Sequence, residues 1–124
     1  MISGGVVQNE GRIRLTARGP TGREQEVEVA LDTSYTSSLT LPSALIAELG
    51  LRWRSVDRLT LADGSTCFVR VYRATVIWDR EELPILVDAS DSIPLLGMKL
   101  LSGYELKMQV RNGGSLTIKK LSRR

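Results

Sequence analysis

The stretch Val29-Ala30-Leu31-Asp32-Thr33-Ser34-Tyr35-Thr36-Ser37-Ser38-Leu39-Thr40-Leu41-Pro42 decides the reading of this chain. An alternating apolar segment leads into a carboxylate, and a run of hydroxyls follows. The buried end of a strand is where ionisation of an acid costs most. Asp32 therefore either caps a turn or is held there to do chemistry.

The residues on both sides of this stretch spell short strands. Glu24 to Leu31 alternates, with Val27, Val29 and Leu31 inward and Glu26 and Glu28 outward. Upstream, Ile13, Leu15 and Ala17 share one face of Arg12 to Ala17, and Gly19-Pro20-Thr21-Gly22 is a turn. Downstream, Ser38 to Leu41 predicts a short strand. Pro42 to Gly50 predicts a two-turn helix, with Leu45, Ile46 and Leu49 on one face and Gly50 as its left-handed stop. Asp63-Gly64, flanked by Arg58 to Ala62 and Thr66 to Trp78, is the strongest short hairpin signal in the chain. Asp79-Arg80-Glu81 turns the chain into Leu83 to Val87, and a second short helix is predicted over Met98 to Leu101. Tyr104 to Arg111 alternates, Asn112-Gly113-Gly114 turns, and Leu116 and Ile118 return. Many short strands with one or two short helices predict an all-β domain, a compact barrel or sandwich.

Composition bounds the function. The 124 residues fit one domain over 1–124, 42% hydrophobic and 25% charged, as in ordinary soluble proteins. No apolar run approaches the ~18–20 residues that span a bilayer, so no membrane association is expected. The start Met1-Ile2-Ser3-Gly4-Gly5 shows neither the basic nor the apolar segment of a secretory signal. The single Cys67 allows no intrachain disulfide and fits a reducing cytoplasm. The chain has no histidine, which removes Ser-His-Asp and Cys-His catalysis and every His-based zinc site. One cysteine cannot build a thiolate cage either, so no metal or other cofactor is expected. The net charge of +3 is concentrated in Lys119, Lys120, Arg123 and Arg124, and the rest of the chain is close to neutral. Residues 119–124 are thus expected as a basic tail and 1–10 as an N-terminal extension.

The order of these parts resembles the retropepsin-like aspartic proteases, in particular their single-lobe bacterial and archaeal members. The strings that carry the resemblance are LDTSYTSSLTLP (31–42), LTLADGSTCFVRVYRATV (59–76) and PLLGMKLLSGYELKM (94–108). It covers roughly Val27 to Ile118. The Asp-Thr-Ser triplet alone is weakly specific, since Ile85-Leu86-Val87-Asp88-Ala89-Ser90 also sets an acid after an apolar run. Specificity comes from the triplet, a hairpin with a Gly-containing tip, and Leu95-Leu96-Gly97 before a short helix, in that order.

The resemblance implies a retropepsin-like closed β-barrel, one lobe of the acid-protease fold, and an aspartic endopeptidase acting on an extended peptide or protein substrate. In that family two aspartates share one proton, and the ionised one activates a water. Since this chain offers one such triplet, the second catalytic Asp32 is implied to come from another copy, making the enzyme a homodimer. Thr33 is implied to lock the two active-site loops together. Ser34 departs from the family's usual glycine and brings a Cβ and a hydroxyl beside the carboxylate. Ala62, Asp63, Gly64 and Ser65 are implied to form the tip of a flap over the substrate, and Leu95, Leu96 and Gly97 to pack behind the Asp32 loop. The alternative is a catalytically silent member of the fold that binds a peptide or protein in the same groove. A nucleic-acid role for the 119–124 tail ranks last, because 5% aromatic residues offer few bases a stacking surface.

Overall fold

The alternating segments pair as their apolar faces require. The computed structural model describes residues 1–122. β1 (Ile2–Val7), β2 (Glu10–Arg18) and β3 (Glu24–Leu31) run antiparallel in sequence, with Ile13 opposite Val29 and Leu15 opposite Val27. This register buries all four side chains on one face. It leaves Arg14 and Glu26 outside, where they form an exposed ion pair. β4 (Leu39–Leu41) is buried along its whole length.

α1 (Ser43–Leu49) follows Pro42, whose extended backbone precedes the first turn, and buries Ile46 and Leu49. Gly50 ends it at φ 64°, ψ 34°, a conformation that costs glycine nothing, and its N–H bonds the Ala47 carbonyl. β5 (Arg52–Thr60) and β6 (Thr66–Trp78) form the long mid-chain hairpin, and β7 (Glu81–Ala89) returns along β6. The Asp79-Arg80 link has both residues at positive φ, as a two-residue hairpin turn demands. β8 (Leu95–Leu96), α2 (Met98–Leu101), β9 (Tyr104–Met108) and β10 (Ser115–Lys120) complete the described chain.

The strands form one sheet in the order β5-β6-β7-β4-β8-β3-β2-β1-β10-β9. β2 pairs a second time, with β6, through Thr16–Ile77, Ala17–Val76 and Arg18–Thr75. The pairing path thus returns on itself through β2, β3, β8, β4, β7 and β6. The circuit is thin where β4 and β8 contribute three and two residues, and it does not make a regular barrel. The all-β class with two short helices agrees with the sequence reading. Leu39, Leu41, Val76, Val87, Leu96 and Ile118 lie fully buried inside, each worth about 1.5–3 kcal/mol of burial free energy. No helix among the described residues is long and apolar enough to cross a membrane.

The chain's two ends differ from their expected description. Residues 2–7, expected as part of an extension, are β1, paired to both β2 and β10. Lys119 and Lys120, expected in a tail, end β10 opposite Glu105 and Tyr104. Arg123 and Arg124 lie outside the described residues.

Candidate active site

Asp32 sits one residue past β3, where three strands meet. β8 lies between β3 and β4, parallel to the first and antiparallel to the second, and this places Leu96 directly beside the end of β3. The Asp32 N–H donates to the Leu96 carbonyl at 3.0 Å, and the Ala30 N–H donates to the Pro94 carbonyl at 2.9 Å. Beyond it the chain turns sharply, and the Tyr35 N–H donates back to the Asp32 carbonyl at 3.1 Å. The half-buried Asp32 carboxylate takes two bonds on Oδ1, from the Ser34 N–H at 2.9 Å and the Ser34 hydroxyl at 2.5 Å. Thr33 and Ser34 themselves are exposed.

Gly97 forms the floor of this loop. Its N–H donates to the Ser38 carbonyl at 2.9 Å, and the next two N–H groups, Met98 and Lys99, donate to Tyr35 and Ser37 at 2.8 and 3.3 Å. A Cβ at Gly97 would stand 2.1 Å from the Ser37 carbonyl oxygen and 2.6 Å from that of Tyr35. Its φ of −104° is open to any residue, so proximity alone demands glycine here. Leu95 is fixed by its N–H bond to the buried Thr40 hydroxyl at 2.8 Å.

A second carboxyl supports the loop from below. Asp88 of β7 is buried, opposite Thr40 of β4 and Val71 of β6. Tyr35 donates its hydroxyl to Asp88 Oδ2 at 2.6 Å, and the same hydroxyl lies 3.3 Å from the Leu39 carbonyl. Burial pushes the Asp88 carboxyl above its ordinary value. The Tyr35 bond opposes that rise, and the Asp57 charge on β5 adds to it. The Tyr35 hydroxyl is in turn pushed far above its ordinary 10, first by burial and then by the bond to Asp88, so it stays a donor at any working pH. Asp88 is thus tied to the loop through Tyr35. Its motif was visible in the sequence as an acid after an apolar run, but its partner lies 53 positions away and no local signal joins the two.

The residues expected to form a flap tip are a separate unit at the far end of the β5–β6 hairpin. Ala62, Asp63, Gly64 and Ser65 are all exposed. The tip closes on itself through Leu61 N–H to Ser65 carbonyl at 2.7 Å and Gly64 N–H to Leu61 carbonyl at 2.9 Å. Asp63 Oδ1 accepts the Ser65 hydroxyl and N–H, the same local pattern that Asp32 makes with Ser34, and these bonds hold its carboxyl below the ordinary range. The structure therefore gathers Asp32, Ser34, Leu96 and Gly97 into one bonded unit and sets residues 62–65 apart on an exposed hairpin. Among the described residues no three acidic or cysteine side chains converge as a metal-ligand set.

A curled all-β lobe, with an acid loop seated on a two-residue strand and a glycine, defines the class: the fold is retropepsin-like. The chain is similar to the crystal structure of a retropepsin-like aspartic protease from Rickettsia conorii, with a TM-score of 0.57 over 98% of this chain and 91% of that one. The two share 16% sequence identity, so the likeness is one of fold. No protein-family model and no curated protein sequence matches the chain.

Proposed function

We propose that the chain is an aspartic endopeptidase of the single-lobe bacterial and archaeal type, active as a homodimer, with one Asp32 from each copy at the two-fold axis. The observation that carries this reading is the mounting of Asp32. Its backbone is bonded to β8, its loop rests on Gly97, and both Ser34 bonds fall on Oδ1. Oδ2 is then the oxygen left for a partner carboxylate, a proton or a water.

Two such carboxyls in contact cannot both ionise cheaply, and one proton is shared between them. The ionised carboxyl takes a proton from water as the water oxygen attacks the scissile carbonyl carbon. The protonated one gives its proton to the carbonyl oxygen, producing a gem-diol. Transfer of a proton to the amide nitrogen then releases the amine and re-forms the carbonyl. Thr33 locks the two loops across the axis, and residues 62–65 close over an extended substrate, excluding water. No metal or organic cofactor enters this scheme.

Asp32→Asn tests it. Cleavage of a peptide library falls roughly 10²–10⁴-fold in the variant, the range for loss of a general acid–base group. Unchanged cleavage removes the dyad mechanism.

The second reading, a silent peptide-binding member of the fold, is favoured by one contact, the 2.5 Å bond from the Ser34 hydroxyl to Asp32. It predicts peptide binding without cleavage in the wild type. Cleavage that appears only in Ser34→Gly supports it.

A further inference from the structure

A cavity of about 580 Å³ lies beside, but is not lined by, residues 32–37 of the Asp32 loop. Residues of β2, β5, β6, β7 and α2 line it, and Ser38, whose carbonyl accepts the Gly97 N–H, borders it, but residues 32–37 and 62–65 do not. Its volume falls within the range of small-molecule sites. We propose that it binds a small organic anion, an oxyanion head on a short hydrocarbon body.

The charge distribution carries the argument. Arg52 of β5 stands directly opposite Arg73 of β6 in the ladder, both line the cavity, and Lys99 of α2 lines it too. Directly opposed residues on an antiparallel pair have Cβ atoms about 5 Å apart, and like charges there repel. Proteins normally relieve such a pair with an acid. Here the ion pairs of the described residues are made by Arg12, Arg14, Arg18 and the N-terminus, and none reaches Arg52, Arg73 or Lys99. Arg18, a fourth cation on the cavity wall, shows the contrast, since it is held by both Glu24 and Glu82. Three cations thus share one concave surface with no carboxylate among its lining residues.

The ladder registers also supply the apolar side of the site. Arg73 is opposite Leu86, so Arg52, Arg73 and Leu86 run as one row across three strands. Two residues along, Arg18, Thr75 and Pro84 form the parallel row. A head group on the Arg52–Arg73 forks, whose planar donors match carboxylate or phosphate oxygens, would therefore lay its body along Pro84, Leu86 and Leu100. An anion seated there replaces a solvent-screened repulsion between exposed side chains with charge-assisted hydrogen bonds.

Calorimetric titration of the full chain with octanoate, octyl phosphate and 1-octanol tests the proposal. The expected result is saturable binding of at least one anion, one per chain, at least tenfold tighter than octanol. This binding weakens with added salt and falls tenfold or more in Arg73→Gln. Octanoate binding ahead of octyl phosphate assigns a carboxylate head, and the reverse order a phosphate head. Octanol binding as tightly as both anions, or an affinity unchanged in Arg73→Gln and Arg52→Gln, overturns it. Melting without ligand separates lost binding from lost folding. Arg73→Gln removes the repulsion, so its Tm equals or exceeds that of the wild type. A clearly lower Tm would show the pair to be satisfied within the chain and would overturn the proposal as well.

Discussion

Tyr35 and Asp88 show how much of a local site rests on distant residues. From sequence, Tyr35 is one hydroxyl in a run, and Asp88 repeats the acid-after-apolar pattern of Asp32 without the rest of the motif. In the fold they form one partly buried bond that ties the Asp32 loop to β7. Burial dominates at Asp88 and raises its pKa above the ordinary 3.8, so the folded chain holds that proton more tightly than the unfolded one. The sign follows. The stability contributed is fully present below the unfolded value near 3.8 and is lost as pH rises through the higher folded value. Above that value the native state carries a buried charge. Asp88→Asn supplies an uncharged stand-in whose amide oxygen still accepts the Tyr35 hydroxyl. The Tm difference, variant minus wild type, is expected to be smallest in acid and to grow as pH rises toward neutral. Melting curves across pH 3–8 check this, and a flat difference would mean that Asp88 does not change its protonation on folding.

At the scale of elements, legibility followed burial. β2, β3 and β6 were readable because one face of each packs inside, which forces alternation. β5 was only partly readable. The expected strand began at Arg58, whereas β5 starts at Arg52, because it is an exposed sheet edge along nearly its whole length and no inward face imprints a pattern. β9 ends at Met108, three residues before the alternation does. There the Gly114 N–H bonds the Arg111 carbonyl and the Gly113 N–H bonds Val6, which folds residues 109–114 into a loop against β1. β1 itself, with two glycines and a turn at Gln8-Asn9, carries no strand signal that composition could reveal. By contrast the Leu95-Leu96-Gly97 element was legible as a motif, and its geometry gives a sharp expectation. Gly97→Ala forces a Cβ against backbone oxygens of Ser37 and Tyr35, atoms that cannot rotate away. Overpacking of this kind costs about 1–3 kcal/mol and more where backbone must shift. We expect a loss at the upper end of that range in urea unfolding. In the protease reading, peptide cleavage falls beyond what the folded fraction explains, because the strain is delivered to the loop that carries Asp32.

At the scale of the molecule, one lobe presents one Asp-Thr-Ser triplet, and in the dyad reading a monomer has half a site. The sequence made that half legible, since the triplet, hairpin and glycine stand in order. It could not carry the other half, because a two-fold axis leaves no mark on the numbering of one chain. Mass action turns this into a measurement. Well below the dimer's dissociation constant, dimer concentration varies as the square of total chain, so a tenfold dilution lowers activity per unit volume about 100-fold rather than tenfold. Sedimentation at the same concentrations locates the monomer. Mixing supplies an independent readout. Adding excess Asp32→Asn chain to a fixed amount of wild type draws wild-type subunits into dimers that hold one aspartate and one asparagine. Activity then falls toward the variant's level even though no wild-type chain was removed. Activity linear in concentration through a demonstrated monomer, or unmoved by excess variant once the subunits have exchanged, would place the whole reaction on one chain and reject the shared site.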